Sequence, residues 1–123
     1  MPKQITVQNK THETGKPARI KYCDTFLTQL RGFTFRPELS HDEGLLLVGK
    51  RDSRLDSSIH MLFVSFDLTV IWINSDQQVV DKVLAKSWCP AYFPKQPARY
   101  VLEIHPERWE EYQIGDTVEF QDA

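Results

Sequence analysis

SSIHMLFVSFDLTVIWIN, Ser57 to Asn74, is the most apolar eighteen-residue stretch of this chain, yet it carries His60 and Asp67. It can be read as a membrane span, as core strands that tolerate two polar groups, or as the wall of a site. About 20 apolar residues would cross a bilayer as a helix. Asp67 near the middle would cost about 2.5 to 3.5 kcal/mol on insertion, and Ser57, Ser58, Ser65, Thr69 and Asn74 add to that. The stretch is instead crowded with Ile59, Phe63, Val64, Phe66, Thr69, Val70, Ile71, Trp72 and Ile73, β-branched and aromatic residues that suit a pleated sheet. At period two the even positions from His60 to Trp72 form one face, apolar except for the histidine. Fully extended, the stretch would reach on the order of 60 Å, so a corner is expected around Ser65 to Asp67, with a strand on each side.

The whole chain sets the limits on that reading. At 123 residues it is long enough for one domain with a real core and too short for two, so a single domain over residues 1–123 is expected. Hydrophobic residues at 41% beside 26% charged mark a soluble, globular chain. The formal charge of -2 supplies no basic excess for phosphate backbones or anionic lipid, so neither nucleic acid nor membrane is an expected partner. MPKQITVQNKTHETG at the N-terminus has no apolar signal run, which points to the cytoplasm, with Cys23 and Cys89 as free thiols.

Outside the central stretch, short β signals recur. Ile5 to Gln8, Ala18 to Tyr22, Gly44 to Val48, Val79 to Ala85, Arg99 to Ile104 and the segment after Gly115 read as strands, and KRDSRLD as a solvated loop. Asp24 is placed to cap a brief helix ended by Gly32, and Pro106 to open a helical turn. Pro90, Pro94 and Pro97 make the segment after Trp88 irregular. The fold class is mainly β: a compact barrel-like domain of antiparallel strands with one or two short helices.

Motifs for nucleotide binding, serine hydrolysis and zinc proteolysis are absent, and neither cysteine sits in a CxxC pair. His12, His41, His60 and His105 are isolated in sequence, so a metal site would require the fold to bring them together with Asp or Glu, and neither a metal nor a cofactor is expected. The order LRGFTFRPEL, EGLLLV, SIHMLFVSFDLTVIWIN, SWCPAYFPKQPARYVLEI and IGD resembles the family called domain of unknown function 192, over roughly residues 18–120. The resemblance implies a mainly β, barrel-like domain and no particular reaction. Carried onto this chain, it points to Arg31, Gly32, Arg36, Gly44, His60, Glu103, Gly115 and Asp116. Where the family commonly reads Pro-Ile-Asp, this chain has Asp67, Leu68 and Thr69, and where relatives often place an arginine after the tryptophan it has Cys89.

Arg31 and Arg36 could present two guanidinium forks to an anionic ligand, or pair with Glu38, Glu43 or Glu103 inside the fold; the ion pair is the plainer reading. His60 is read first as a core-edge histidine and second as a proton-transfer group. Asp67 suits a turn whose amides it accepts, with a general base as the sharper alternative. Cys89 in a proline-rich loop lacks the surroundings that activate a thiol. Two functions follow: a module binding a small ligand or a protein through Arg31, Arg36, His60, Asp67 and Glu103, as a monomer or weak homodimer, or a small hydrolase-like enzyme using His60 with Asp67 or Glu103.

Overall fold

Seven strands form one sheet in the computed structural model of the chain, which describes residues 3–15, 17–24 and 38–122. They are β1 (Gln4–Asn9), β2 (Arg19–Cys23), β3 (Glu43–Ser53), β4 (Leu68–Ile73), β5 (Val79–Ala85), β6 (Ala98–Ile104) and β7 (Val118–Asp122), with a 3-10 helix, η1 (Pro106–Glu111), between the last two. The order across the sheet is β5-β4-β6-β3-β2-β1-β7. Its two edge strands meet at one end, where Gln78 bridges Thr117 and the Val79 amide donates to the Asp116 carbonyl at 2.8 Å. The sheet is therefore curled into a half-barrel, and the barrel-like expectation holds. One expectation needs correction: β2 and β3 run parallel, in register from Arg19↔Glu43 to Cys23↔Leu47. A parallel pair needs a long connection, and residues 24–42 supply it. The helix expected after Asp24 falls within residues 25–37 and lies outside the described residues.

Both faces of the sheet are covered. Ile20, Leu46, Ile71, Ile73, Leu102 and Ile104 belong to a first core, and Cys23, Leu45, Leu68, Val70, Trp72 and Val101 to a second. Successive side chains on a strand point to opposite faces, so a strand buried on both sides must be apolar at nearly every position. β4, LTVIWI, is buried at all six positions, and even Thr69 has its hydroxyl satisfied, donating to the Pro106 carbonyl at 3.2 Å.

The first half of the quoted stretch departs from the expected strand. Residues 57–67 turn back across the second face, where Trp72 Nε1 donates to the Ser57 carbonyl at 2.8 Å and Ile59 makes an isolated bridge with Tyr92. Ile59, Met61 and Val64 are buried there while His60, Leu62 and Phe63 are exposed. The alternation breaks at a turn from Met61 to Val64, with Phe63 at φ 63°. The loop after Gly49 is likewise shorter than expected, because β3 continues through Ser53.

Gly44 lets three strands meet. A Cβ there would lie 2.6 Å from the Glu103 carbonyl oxygen and 2.8 Å from Ile20 Cδ1, distances that no side chain tolerates. Gly115, at φ 97°, occupies a left-handed conformation that suits glycine.

Candidate functional site

The sheet register decides where Glu103 points. On β6, Leu102 and Ile104 enter the first core, so Val101 and Glu103 face the second. Leu45 of β3 stands opposite Glu103 on one side and Val70 of β4 on the other. Glu103 is 8% exposed, and among the described residues no hydrogen bond or ion pair reaches its carboxylate. Burial without a partner penalises the charged form and pushes its pKa up to about 7.

Cys23 shares this face and is 2% exposed. Burial, and then the charge of Glu103, raises its pKa to about 11, so it is held as a thiol and is a poor nucleophile. Asp67 is occupied otherwise: it accepts from the Ser87 amide at 2.9 Å and from Lys86 Nζ at 3.4 Å. The Ser87 amide holds its carboxyl below the usual carboxylate range. It ties the entry of β4 to the loop after β5, so the amide it accepts comes from a loop distant in sequence and not from its own turn.

His60 is exposed, and its Nδ1 accepts from the Leu62 amide at 3.2 Å. Placing it on the apolar face is thereby corrected: the turn after Met61 shifts the alternation and rotates the ring outward. Among the described residues, no hydrogen bond or ion pair joins His60 to Asp67 or Glu103. Arg31 and Arg36 lie outside the described residues.

Two residues without a sequence signal stand out on the same loops. Phe63 and Trp88 are each the third residue of a turn, Met61 to Val64 and Lys86 to Cys89, and both have positive φ, 63° and 64°. Bulky residues rarely adopt that conformation, which costs on the order of 1 kcal/mol or more each. Their rings meet edge to face at 5.1 Å, and each stays about half exposed. Only the pairing of the two loops, through the Trp88 amide and the Met61 carbonyl at 2.9 Å, brings them together.

The chain matches, over residues 7–120, the family described as "Uncharacterized ACR", DUF192. It belongs to that family. A UPF0127 protein of Thermococcus kodakarensis is 37% identical over 95 residues, covering 77% of this chain, and this chain spans only 59% of that relative's length. A UPF0127 protein of Thermococcus sibiricus is 33% identical over 116 residues, covering 92% of this chain and 73% of the relative. A crystal structure of a protein of unknown function from Novosphingobium aromaticivorans superposes with a TM-score of 0.78 at 23% identity, over 94% of this chain and 83% of that one. It shares the fold.

Apart from His60, the described DUF192 motif positions fall into two groups in the structure. Gly44 and Glu103 meet across β3 and β6, while Gly115 and Asp116 form the turn before β7. Asp116, 3% exposed, accepts from Asn9 Nδ2 and from the Gln113 amide, both at 2.8 Å, and pairs with His12 Nε2 at 3.1 Å. These contacts make it a structural knot. At Thr69, where the resemblance had implied an acid, the hydroxyl is turned to η1 and offers no carboxylate. Glu103 is thus the described motif residue whose functional group is left without a partner.

Proposed function

We propose that this DUF192 chain is a binding module whose site centres on Glu103, and that it takes a small, largely apolar ligand carrying an ammonium, guanidinium or comparable donor. One observation carries the reading: a carboxylate buried to 8% exposure on an apolar sheet face, without a hydrogen-bonding partner among the described residues. Such a group costs stability unless a donor satisfies it. A cationic group placed against it would gain a charge-assisted hydrogen bond in a low-dielectric setting. Cytoplasmic residence belongs to the same proposal; among the described residues no helix is long and apolar enough to cross a membrane.

Catalysis by His60 with Asp67 or Glu103 has less support, because both Asp67 oxygens already accept, from Ser87 and Lys86, and His60 faces outward. The test is thermal stability at pH 8 with phenethylamine and with arginine methyl ester, on the wild type and Glu103→Gln. A saturable rise in Tm for the wild type that Glu103→Gln loses supports the proposal. No rise in the wild type, or an equal rise in both, refutes it.

A further inference from the structure

The antiparallel register of β3 and β6 brings together the segments beyond their paired ends. Gly44 stands opposite Ile104, so the turn that precedes β3 lies beside the residues that follow β6. His41 is in that turn, and His105 and Glu107 follow β6 at the start of η1. One donor atom from each of the three lies within 4.8 Å of the others, and the two imidazole rings are 5.1 Å apart at their centroids. Residues 64 positions apart in sequence thus converge.

The backbone beneath this cluster is firmly held. Arg108, 4% exposed, donates from Nε to the His41 carbonyl at 2.7 Å and pairs with Glu111 at 2.9 Å. Thr69 Oγ1 fastens Pro106 to β4. The side chains of His41 and Glu107 remain exposed and can rotate while their attachment points stay fixed, and the His105 ring is partly exposed.

We propose that His41, His105 and Glu107 form a surface site for a divalent first-row metal ion of the Zn2+ class. Two imidazoles and a carboxylate are borderline ligands that suit Zn2+, Co2+ or Ni2+ over Mg2+ or Ca2+, and three protein ligands leave room for water. Drawing donor atoms from 4.8 Å to the roughly 3.4 Å of a tetrahedral ion with bonds of about 2.1 Å needs only side-chain rotation. His105 adds a coupling. Its Nδ1 now accepts from the Glu107 amide at 3.1 Å, so the neutral ring carries its proton on Nε2. A metal on Nε2 needs the proton on Nδ1, and a metal on Nδ1 takes the accepting lone pair. In either case the cap of η1 is exchanged for a metal bond, while the Glu107 carboxylate ties the same turn to the ion.

The experiment uses the full chain after chelator treatment, titrated calorimetrically with ZnCl2 and followed optically with Co2+. One ion per chain is expected, with Co2+ absorption of a four- or five-coordinate nitrogen and oxygen site. His41→Ala and Glu107→Gln should each weaken binding about tenfold or more. His12→Ala, whose ring pairs with Asp116 instead, should not. Metal-free His41→Ala should melt with the wild type, since the carbonyl and not the ring holds Arg108. An absence of saturable binding to the wild type, or equal affinity in His41→Ala, overturns the proposal.

Discussion

Cys23 on β2 and Glu103 on β6 share one buried face of the sheet, near enough that the carboxylate adds to the burial that raises the thiol pKa to about 11. Cys89, in the loop after β5, is only partly buried. The native protein should therefore react with a disulfide reagent at pH 8 at Cys89 alone, and at Cys23 only after unfolding. Two fast equivalents in the native state, or a fast equivalent surviving Cys89→Ser, would show the thiol of Cys23 to be open.

Glu103 makes stability depend on pH in a defined window. Its carboxyl titrates at about 7 in the fold against an ordinary 4.5. Below about pH 4.5 both states are protonated and burial costs nothing in charge. Between the two values the folded state binds more protons, so stability falls as pH rises, and above about 7 the loss is complete. At 1.36 kcal/mol per unit it amounts to about 3 kcal/mol. Glu103→Gln should remove this component, so urea unfolding of the two proteins at pH 4.5 and 7.5 should diverge by that order. Parallel pH profiles would refute the assignment.

Gly44→Ala should cost about 3 kcal/mol or more. Its Cβ would meet a backbone oxygen at 2.6 Å and Ile104 Cγ2 at 2.9 Å, and a carbonyl in a paired strand cannot swing aside as a long side chain can. Chemical denaturation measures this; a cost below about 1 kcal/mol would mean the strands part easily.

His60→Ala should cost less than about 1 kcal/mol, because an exposed ring with one local hydrogen bond to the Leu62 amide contributes little. The sequence pattern, with His60 on an apolar face, had implied a heavier loss. A fall in Tm of ten degrees or so, for a chain of this size, would restore that view.

Composition and periodicity sufficed for most strands, because burial writes itself locally: β4 is apolar at every position but Thr69 because both faces are covered, and Pro106 opens η1 because its missing amide costs nothing there. The corner near Asp67 was legible from length, because so long an extended stretch outreaches a small domain. Residues 57–67 were misread because an apolar run buried against one face of a sheet looks like a strand until a turn shifts its alternation, and the turn at Phe63 uses a residue that seldom adopts positive φ. Glu103 was marked by its motif, yet only the register of β3, β6 and β4 made it a carboxylate without a partner. The meeting of His41 with His105, and of Phe63 with Trp88, depends on pairing between distant segments. Local sequence sets which side chains prefer burial and extension; which of them become neighbours is decided by strand order and register, and these are properties of the whole sheet.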